Sequence, residues 1–578
     1  MVSLLYFCRA LREPVSEHTY NGRELMFRKR SPQGSLFSTN NLVPPAKAQR
    51  LQASWAESFR QHALPLIDED LFAPLYSHNS GRPNRPAETV VGVLLLKEMF
   101  SLTDAETLEQ LEFSLLWHHA LELTPEEAHL CQKTLHNFRA GLMEHDLARV
   151  AFSETTDRIL QALGTKVSRQ RLDSTHVVSN IAVLTRLGLF CETMRVFLSK
   201  LETEHPRLHG RVPEGLRGRY VKEDGSATGY QDARSTEGRR RLSVCARDVY
   251  RLCDLFGSTA AQDLEEYALL QRLLQDQCDV VEKNQRPSGD DDDVGEGGVP
   301  VVLKEAKEVD SASLQSPHDP DVTYSGHKGK GYEVQVAETC HEDNAVELIT
   351  HVKLTSACAS DAQATVPTLE ALAARDLAPE ELVADTTYGS GNNAVEAERL
   401  GTELISPVSG SAGVVEEALA DDQLTPADFH VDPRLEEPAV CPAGHFSTAQ
   451  EPRDTQSHRV AVTFDRQTCE ECVFFHQCPA ALNQAEDGYV LTVDLVEANL
   501  KRRRRAEASG EFKPRYAIRS GIEATHSELK RGHGLGALRV RGRPRVDLAI
   551  HLKALACNIK RMVRAFMSEP SKSNPAMV

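Results

Sequence analysis

The sequence predicts an α/β protein with an all-helical N-terminal domain and a mixed-sheet core that carries two insertions. Three observations indicate this fold. Apolar residues recur three and four positions apart from about 45 to 165, as they do in amphipathic helices. Alternating, strand-like segments follow at "KVSRQRLDSTHVV", "GYEVQVAET" and "AVELITHVKLT". The region 409–510 differs from both, because it is polar, has short strands and holds the only clustered cysteines.

These differences divide the chain into parts. The expected parts are a poorly ordered segment (1–44), a helical domain (45–165), the first part of the core (166–180 and 321–408), a helical insertion with an acidic linker (181–320), the β-rich insertion (409–510) and the C-terminal helices of the core (511–578). Pro86 marks a helix start, where a missing N–H costs nothing. The acidic run Asp290–Asp293 is expected to be a solvated linker, since adjacent like charges on a loop have no fixed geometry for a metal.

The core elements after residue 320 alternate between strands and helices. "ELVADTT" is expected to be a buried strand that ends at Asp385, and "TELISPV" is one more strand. "SDAQATVPTLEALAARD" is expected to be a helix with Asp361 as its N-cap. Strands, helices and insertions in this order indicate an α/β core.

Composition limits the function classes. The 578 residues suffice for three or four domains, and no apolar run approaches the roughly 18 residues of a membrane helix, so no membrane partner is expected. Thirteen mostly isolated cysteines fit a reducing, cytoplasmic compartment better than a disulfide framework.

Charge is distributed unevenly along the chain. The net charge is −18, yet residues 501–578 hold 19 Lys and Arg against 6 Asp and Glu and so carry +13, leaving −31 for the first 500 residues. A basic C-terminal segment on an acidic body indicates contact with a polyanion. A soluble chain with a basic tail is the alternative.

Three acids could form a site for divalent metal ions. Asp173 lies in the first core strand, Asp385 ends a later strand, and Glu523 lies on the penultimate helix. Two-metal phosphoryl transfer needs at least three converging carboxylates, and ligands in open α/β sheets sit outside the strand ends. The alternative is that these acids are caps or turn residues.

The helix around Glu523 has a polar face. It is predicted from Pro514 to Gly532, and the residues expected within an arc of about 80° are Tyr516, Arg519, Glu523, Ser527 and Lys530. Ile518, Ile522, Thr525 and Leu529 are expected to face the core. Glu528 points away from the polar face by more than about 100°. The alternative is an exposed helix with an ordinary Arg519–Glu523 pair.

The spacing of Tyr516, Arg519, Glu523 and Lys530 resembles the Y-R-E-K signature of bacterial insertion-sequence transposases of the DDE type. "LDSTHV" and "LVADTTYGS" resemble that family's first and second Asp motifs, and "RGHGLGALRVRG", "HLKALACNIKRMV" and the N-terminal helices are also similar. The likeness covers most of residues 26–566 but is weak for about 200–315. It implies an RNase H-like fold and a DNA transposase that cleaves element ends and transfers strands to a target. A different RNase H-like nuclease, such as a junction resolvase, and a domesticated, non-catalytic DNA-binding protein are the alternatives.

The resemblance also implies the site's cofactors and partners. Asp173, Asp385 and Glu523 would hold two Mg²⁺ ions, with Mn²⁺ as a substitute. The expected DNA contacts are Tyr516, Arg519, Lys530, Arg539 and Arg541, extended by the basic run 501–505. The implied partner is double-stranded DNA, both the terminal inverted repeats and the target. A homodimer at the bacterial nucleoid is implied as well, with the helical domain serving end binding or dimerisation.

Four cysteines in the β-rich insertion suit a structural metal site. Cys441, Cys469, Cys472 and Cys478 include one C-x2-C pair and fit a closed tetrahedral Zn²⁺ site. His445 or His476 could replace one sulfur. Unmetallated thiols or a redox role are the alternatives, and similar cysteine clusters occur in related transposases.

Overall fold

The N-terminal region is all-helical, as predicted. The computed structural model describes residues 27, 29–30, 43–76, 84–221, 236–280, 301–409, 424–453 and 458–568. The first helices are α1 Pro45–Gln52, α2 Trp55–Ser58, α3 Ala87–Met99, α4 Asp104–Phe113, α5 Leu115–Ala120, α6 Gln132–Glu144 and α7 Leu147–Leu163. Thr103 and Glu106 cap α4 reciprocally. Thr124 and Glu127 bond in the same way but close only a single turn, so α6 begins at Gln132.

A helical lobe follows the first core strand, β1 Arg169–Val177. Its elements are α8 Arg186–Glu204, α9 Pro206–His209, α10 Glu214–Tyr220, α11 Thr236–Phe256, α12 Glu265–Gln277 and two short paired strands, β2 Cys278–Val280 and β3 Val301–Leu303. The lobe has a hydrophobic core of its own, built around Phe190, Phe197 and Phe256. The run Asp290–Asp293 and most of residues 1–44 lie outside the described residues.

The core sheet has six strands in RNase H-like order. The elements after the lobe are β4 Thr323–Ser325, β5 Gly329–Thr339, β6 Ile349–Ser356, α13 Thr365–Ala373, β7 Glu381–Ala384, α14 Gly391–Arg399 and β8 Glu403–Ile405. Central β1 pairs antiparallel with β5 and parallel with β7, and β8 continues parallel to β7. The far edge of β5 pairs antiparallel with β4 and β6. The predicted α/β, RNase H-like class is therefore confirmed.

The cysteine-containing insertion is a small antiparallel sheet. Its elements are β9 Ala449–Pro452, β10 Arg459–Asp465, α15 Arg466–Glu470, β11 Ala481–Leu482 and β12 Gly488–Asp494, in the sheet order β11-β12-β10-β9. Phe429, Val462 and Val493 are buried in its core. Strand β12 runs directly into α16 Leu495–Ala508, a helix that the sequence reasoning missed. Leu495 at the start of α16 belongs to the core of the insertion.

Helical segments complete the core. They are α17 Phe512–Ala517, a 3-10 turn Ile518–Gly521, α18 Ile522–Ser527, a π turn Glu528–Gly532 and α19 Arg543–Ser568. The helical path expected to begin at Pro514 thus begins at Phe512, changes its winding twice and ends at Gly532. Helix α19 packs against α3, α7 and β6, so the N-terminal helices and the sheet share one hydrophobic core.

No helix in the described ranges combines the length and apolar character needed to cross a lipid bilayer.

Candidate active site

Two of the three predicted acids lie side by side at the end of parallel strands. Asp173 is in the middle of β1, and Asp385 is the first residue after β7. The parallel register pairs Leu172 with Ala384, so the next residues on the two strands are these acids. The Asp173 side chain is 12% exposed and that of Asp385 44%. The site therefore has a buried carboxylate at its base and a more accessible one at its rim.

Glu523 is the third acid and lies on α18, where its negative charge acts on Asp173. In the described ranges the ligand atoms of the three acids do not all lie within 4.8 Å of one another. The opposite side of the helix is buried through Ile522, Thr525 and Leu529, as the sequence predicts, whereas Glu523 itself is exposed. Glu528 turns away and pairs with Arg561. The helical periodicity thus distinguished the two glutamates.

The electrostatics of Asp173 reflect this convergence. Burial raises the pKa of Asp173 to about 6. Arg519 and the N–H of Ser174 oppose that rise, while the negative charges of Glu523 and Asp385 add to it. Three carboxylates acting on one another leave the site short of positive charge, which favours a bound cation.

Arg519 and Tyr516 lie at the acid cluster itself. The Nη2 of Arg519 donates to Asp173 Oδ2 at 2.8 Å and lies 3.9 Å from Asp385 Oδ2. Burial, together with the neighbouring acids and a hydrogen bond to Asp385, raises the pKa of Tyr516. The Tyr516 ring stacks on Phe512 with centroids 5.3 Å apart. Two of the residues expected to contact DNA are thus within reach of anything bound at the acids.

A buried polar network fixes the helix that carries Glu523. Arg171 donates to Glu338 Oε1 at 2.8 Å and to the carbonyl oxygen of Ile518 at 2.9 Å. Thr525 donates to Glu338 Oε2 at 2.5 Å and accepts from Arg561 at 2.6 Å. Sequence reasoning missed this network. A signal was available, because Arg171 lies two residues before Asp173 and so shares its strand face.

A second network fixes the turn after Asp385. The hydroxyl of Tyr388 donates to Gln335 Oε1 at 2.6 Å, and Gln335 donates to Asp361 Oδ1 at 2.9 Å. Asn393 donates to the Tyr388 carbonyl at 2.8 Å. The expectation that Asp361 caps a helix is wrong, because it lies in a 3-10 turn ahead of α13 and its carboxylate accepts from Gln335 instead.

The other predicted DNA contacts lie further from the acids. Lys530 is half-buried on the π turn, and within the described part of the chain its ammonium has no ion-pair partner. Arg539 and Arg541 are exposed on the segment that precedes α19. All three side chains are at least partly accessible to solvent.

The basic run 501–505 is used differently from what was expected. Arg502 pairs with Glu398 at 3.2 Å, and Arg505 pairs with Asp428 at 2.5 Å. Arg503 donates to two backbone carbonyl oxygens. These three arginines on α16 make contacts within the chain, and their expected contact with phosphate stays a prediction.

The four predicted zinc cysteines surround one cavity. Cys441, Cys469, Cys472 and Cys478 line it together with His445. Burial raises the pKa of Cys469 to about 11, and the other three thiols add to the rise. The N–H of Phe474 donates to Cys472 Sγ at 3.4 Å. In the described ranges, however, no three of these sulfurs all lie within 4.8 Å of one another. The thiols share one cavity but are further apart than the ligands of a closed metal site.

A second cluster of metal-ligand types lies beneath the π turn. The ligand atoms of Glu528, His533 and Cys557 lie within 4.8 Å of one another. Glu528 already pairs with Arg561 at 3.0 Å and Arg564 at 3.4 Å. Burial raises the pKa of Cys557 to about 12. Because Glu528 is already engaged by two arginines, we assign no metal-binding role to this cluster.

The sheet order and the acid cluster define an RNase H-like protein with an acidic site at its strand ends. Residues 440–563 match the family described as "Transposase DDE domain", and residues 50–141 match the "Transposase domain (DUF772)". No curated protein and no solved structure gives a significant match.

Both matches are to transposase domains, and one covers Glu523 while the other covers the N-terminal helices. The two matched domains support an insertion-sequence transposase of the DDE type, the family that the Y-R-E-K spacing resembles. Transposase domains imply DNA as the substrate, and DDE transposases typically use a divalent metal ion.

Proposed function

We propose that this transposase cuts the ends of its element and joins them to target DNA, with Asp173, Asp385 and Glu523 holding two Mg²⁺ ions. The observation that carries the proposal is the convergence of three carboxylates from distant parts of the chain. Asp173 has a pKa raised by burial and by the other two acids. Mn²⁺ would substitute for Mg²⁺, because both take oxygen ligands.

The donor set fits a hard divalent cation. All three candidate ligands are carboxylates, the groups that Mg²⁺ prefers. Arg519 supplies one positive charge against three negative ones, which leaves −2; two divalent ions would change this to +2 and so favour an anionic DNA phosphate. When bound, two such ions polarise the attacking and leaving oxygens of an in-line displacement at phosphorus.

The chain's own side chains would bind and orient the DNA. The planar guanidinium of Arg519 can grip a phosphate near the cut with two hydrogen bonds, and the phenol of Tyr516 lies beside it. Lys530, Arg539 and Arg541 would contact phosphates further along the element end. We infer double-stranded DNA as the partner, both as terminal repeat and as target.

Assembly and location belong to the same proposal. Two element ends must be cut and joined together, and a homodimer would supply two equivalent active sites. The helical domain at 45–165 would serve end binding or the dimer contact. A protein that cuts and joins chromosomal DNA would be located at the nucleoid, in the bacterial cytoplasm.

Single substitutions test the acid cluster. Asp173→Asn, Asp385→Asn and Glu523→Gln should each slow Mg²⁺-dependent cleavage of an element end by about 10³-fold or more, because each removes a charged metal ligand. Binding of the end, measured by fluorescence anisotropy, should remain close to that of the wild type.

Glu511→Gln is the matched control for Glu523, since Glu511 is an exposed glutamate just before α17 that was not predicted as a metal ligand. It should cleave at the wild-type rate. Retained cleavage in any one of the three acid variants would remove that residue from the metal-binding set.

A further inference from the structure

Arg503 spans the ends of the two parallel strands next to the acid cluster. Its Nη1 donates to the carbonyl oxygen of Gly389 at 2.8 Å, and its Nη2 donates to that of Ser406 at 2.7 Å. Gly389 ends the turn that begins at Asp385, and Ser406 directly follows β8. One guanidinium therefore fixes both strand ends.

Ser406 carries this contact to Asp385. Its hydroxyl donates to the carbonyl oxygen of Asp385 at 2.9 Å. The backbone of the rim acid is thus held by Ser406, whose own carbonyl is held by Arg503. A shift of the guanidinium would release both ends of the turn that presents Asp385.

The residues around the guanidinium are tightly packed. A Cβ on Gly389 would lie 2.1 Å from Ser406 Oγ and 2.6 Å from Arg503 Nη2, so only glycine fits there. Burial lowers the pKa of Arg503, and its Nε has no hydrogen-bond partner in the described part of the chain. Burying a cation with an unpaired N–H is energetically unfavourable. The hydrogen bonds of Arg503 to two carbonyl oxygens offset this cost.

Helix α16 connects Arg503 to the cysteine-containing insertion. The helix follows β12 without a break, and Asp494 caps it through the N–H groups of Val496 and Glu497. Leu495 and Ala498 pack in the core of the insertion. The insertion therefore sets the position from which Arg503 reaches the strand ends.

We propose that Arg503 is a positioning residue for Asp385, so that the β-rich insertion sets the geometry of the acid cluster through α16. The inference rests on the proposed function, because it assumes that Asp385 is a metal ligand. Its consequence is that the insertion changes the metal affinity of the acid cluster without contributing a ligand to it.

Three variants of α16 test this. Arg503→Met removes both donors, Arg503→Lys keeps the charge but not the fork, and Arg505→Met removes an arginine that pairs with Asp428 instead. For each full-length protein, Mn²⁺ binding is measured without DNA by electron paramagnetic resonance, end cleavage is measured against Mn²⁺ concentration, and thermal unfolding is recorded.

The expected result is a shift in metal dependence without loss of the fold. Arg503→Met should raise the Mn²⁺ concentration for half-maximal binding and cleavage by about 10-fold or more, since a displacement near 1 Å at a site can cost about 100-fold. Arg503→Lys should recover part of this shift. Arg505→Met should match the wild type in both measurements, whatever its effect on thermal unfolding.

Wild-type Mn²⁺ midpoints in a folded Arg503→Met protein would overturn the positioning role. If that variant does not fold, Ser406→Ala decides, because it removes only the hydroxyl that holds Asp385; an unchanged midpoint there rejects the inference. Asp385→Asn separates the two proposals. Full cleavage by Asp385→Asn contradicts the proposed function, whereas an inactive Asp385→Asn beside a normal Arg503→Met contradicts the positioning role alone.

Discussion

At the scale of single residues, Arg519 is the cation that balances the acid cluster. It bonds to Asp173 and lies near Asp385, yet its Nε is buried without a hydrogen-bond partner in the described ranges. A guanidinium with an unmet donor gains by taking a bidentate phosphate. Arg519 is therefore suited to exchange an internal carboxylate for the DNA backbone when cations occupy the acids.

Lys530 provides a residue-scale prediction about DNA. If its ammonium contacts one phosphate, Lys530→Ala should weaken binding to element ends of any sequence and lower the slope of log K against log salt concentration by about one unit. Binding is measured by fluorescence anisotropy over a range of salt concentrations.

Lys353→Ala is the control for Lys530, because it removes the same charge from an exposed position on β6. Its salt slope should equal that of the wild type. An unchanged slope for Lys530→Ala would show that Lys530 makes no phosphate contact.

The residues at the site differ in how far the sequence could predict them. Asp173, Asp385 and Glu523 could be predicted as candidates, because strand ends and helical periodicity follow from local pattern and their motifs resemble those of a known family. Glu338 and Arg503 could not, since each owes its role to partners far away in the sequence. Local pattern contains no information about which distant carboxylate or carbonyl a buried arginine will meet.

At the scale of elements, the helical path that carries Glu523 is composite. A 3-10 turn precedes α18 and a π turn follows it, at Ile518–Gly521 and Glu528–Gly532. Such local changes of winding are frequent at functional sites. They leave Glu523 towards the acids and Glu528 towards Arg561, so the predicted faces survive although the helix is not uniform.

The cysteine cavity provides a prediction at this scale. Cys469→Ser or Cys472→Ser should lower the zinc content of the reduced, full-length protein from about one ion per chain to near zero, because a closed structural site needs four ligands. Metal content is measured by mass spectrometry after gel filtration.

Cys131→Ser is the control, since Cys131 is an exposed thiol on an N-terminal helix cap. It should keep the wild-type zinc content. A wild-type protein purified without any zinc, and unable to take it up, would identify the four thiols as unmetallated.

Strands and helices with a clear apolar periodicity could be predicted from the sequence. Elements with a weak or interrupted apolar pattern could not. The strands β1, β5 and β7 have apolar patterns that tertiary packing reinforces. Helix α16 was missed because many of its residues are charged, including the basic run 501–505. Its buried side is short and includes Leu495 and Ala498, so the apolar periodicity is weak. Its apolar contacts lie only in its first turn, where they extend the core of the insertion.

At the scale of the whole molecule, α19 joins the N-terminal helices to the sheet. Lys553 on α19 donates to Glu98 of α3 at 2.5 Å and to the His533 carbonyl at 2.6 Å. Asn558 accepts from the N–H of Ile349 on β6 at 2.8 Å. The N-terminal helices and the core sheet, which the sequence pattern divides into separate regions, therefore pack together. The sequence alone does not reveal this packing.

Removing one partner of the buried Lys553–Glu98 ion pair should destabilise the packing of α19 against the N-terminal helices. Lys553→Met leaves buried Glu98 with Lys97 as its remaining ion-pair partner and should lower the free energy of unfolding by up to about 3 kcal/mol. Unfolding in urea is followed by tryptophan fluorescence, because the two tryptophans, Trp55 and Trp117, lie in the N-terminal helices.

The combined variant Lys553→Met with Glu98→Gln should recover much of the loss. Burial tends to raise the pKa of Glu98, but Lys553 and Lys97 hold it below its usual value. The stabilisation by this pair is thus complete above the ordinary carboxyl pKa and is lost as the pH falls through the lowered value. An unchanged urea midpoint for Lys553→Met at neutral pH would contradict the coupling.

Helix α19 follows, in chain order, every element that it packs against. A ribosome therefore finishes the sheet, the lobe and the N-terminal helices before it delivers the helix that closes their shared interior. Until then the apolar sides of α3 and α7 stay uncovered, and nascent chains are open to chaperones and proteases. A chain truncated before α19 would leave these apolar surfaces exposed.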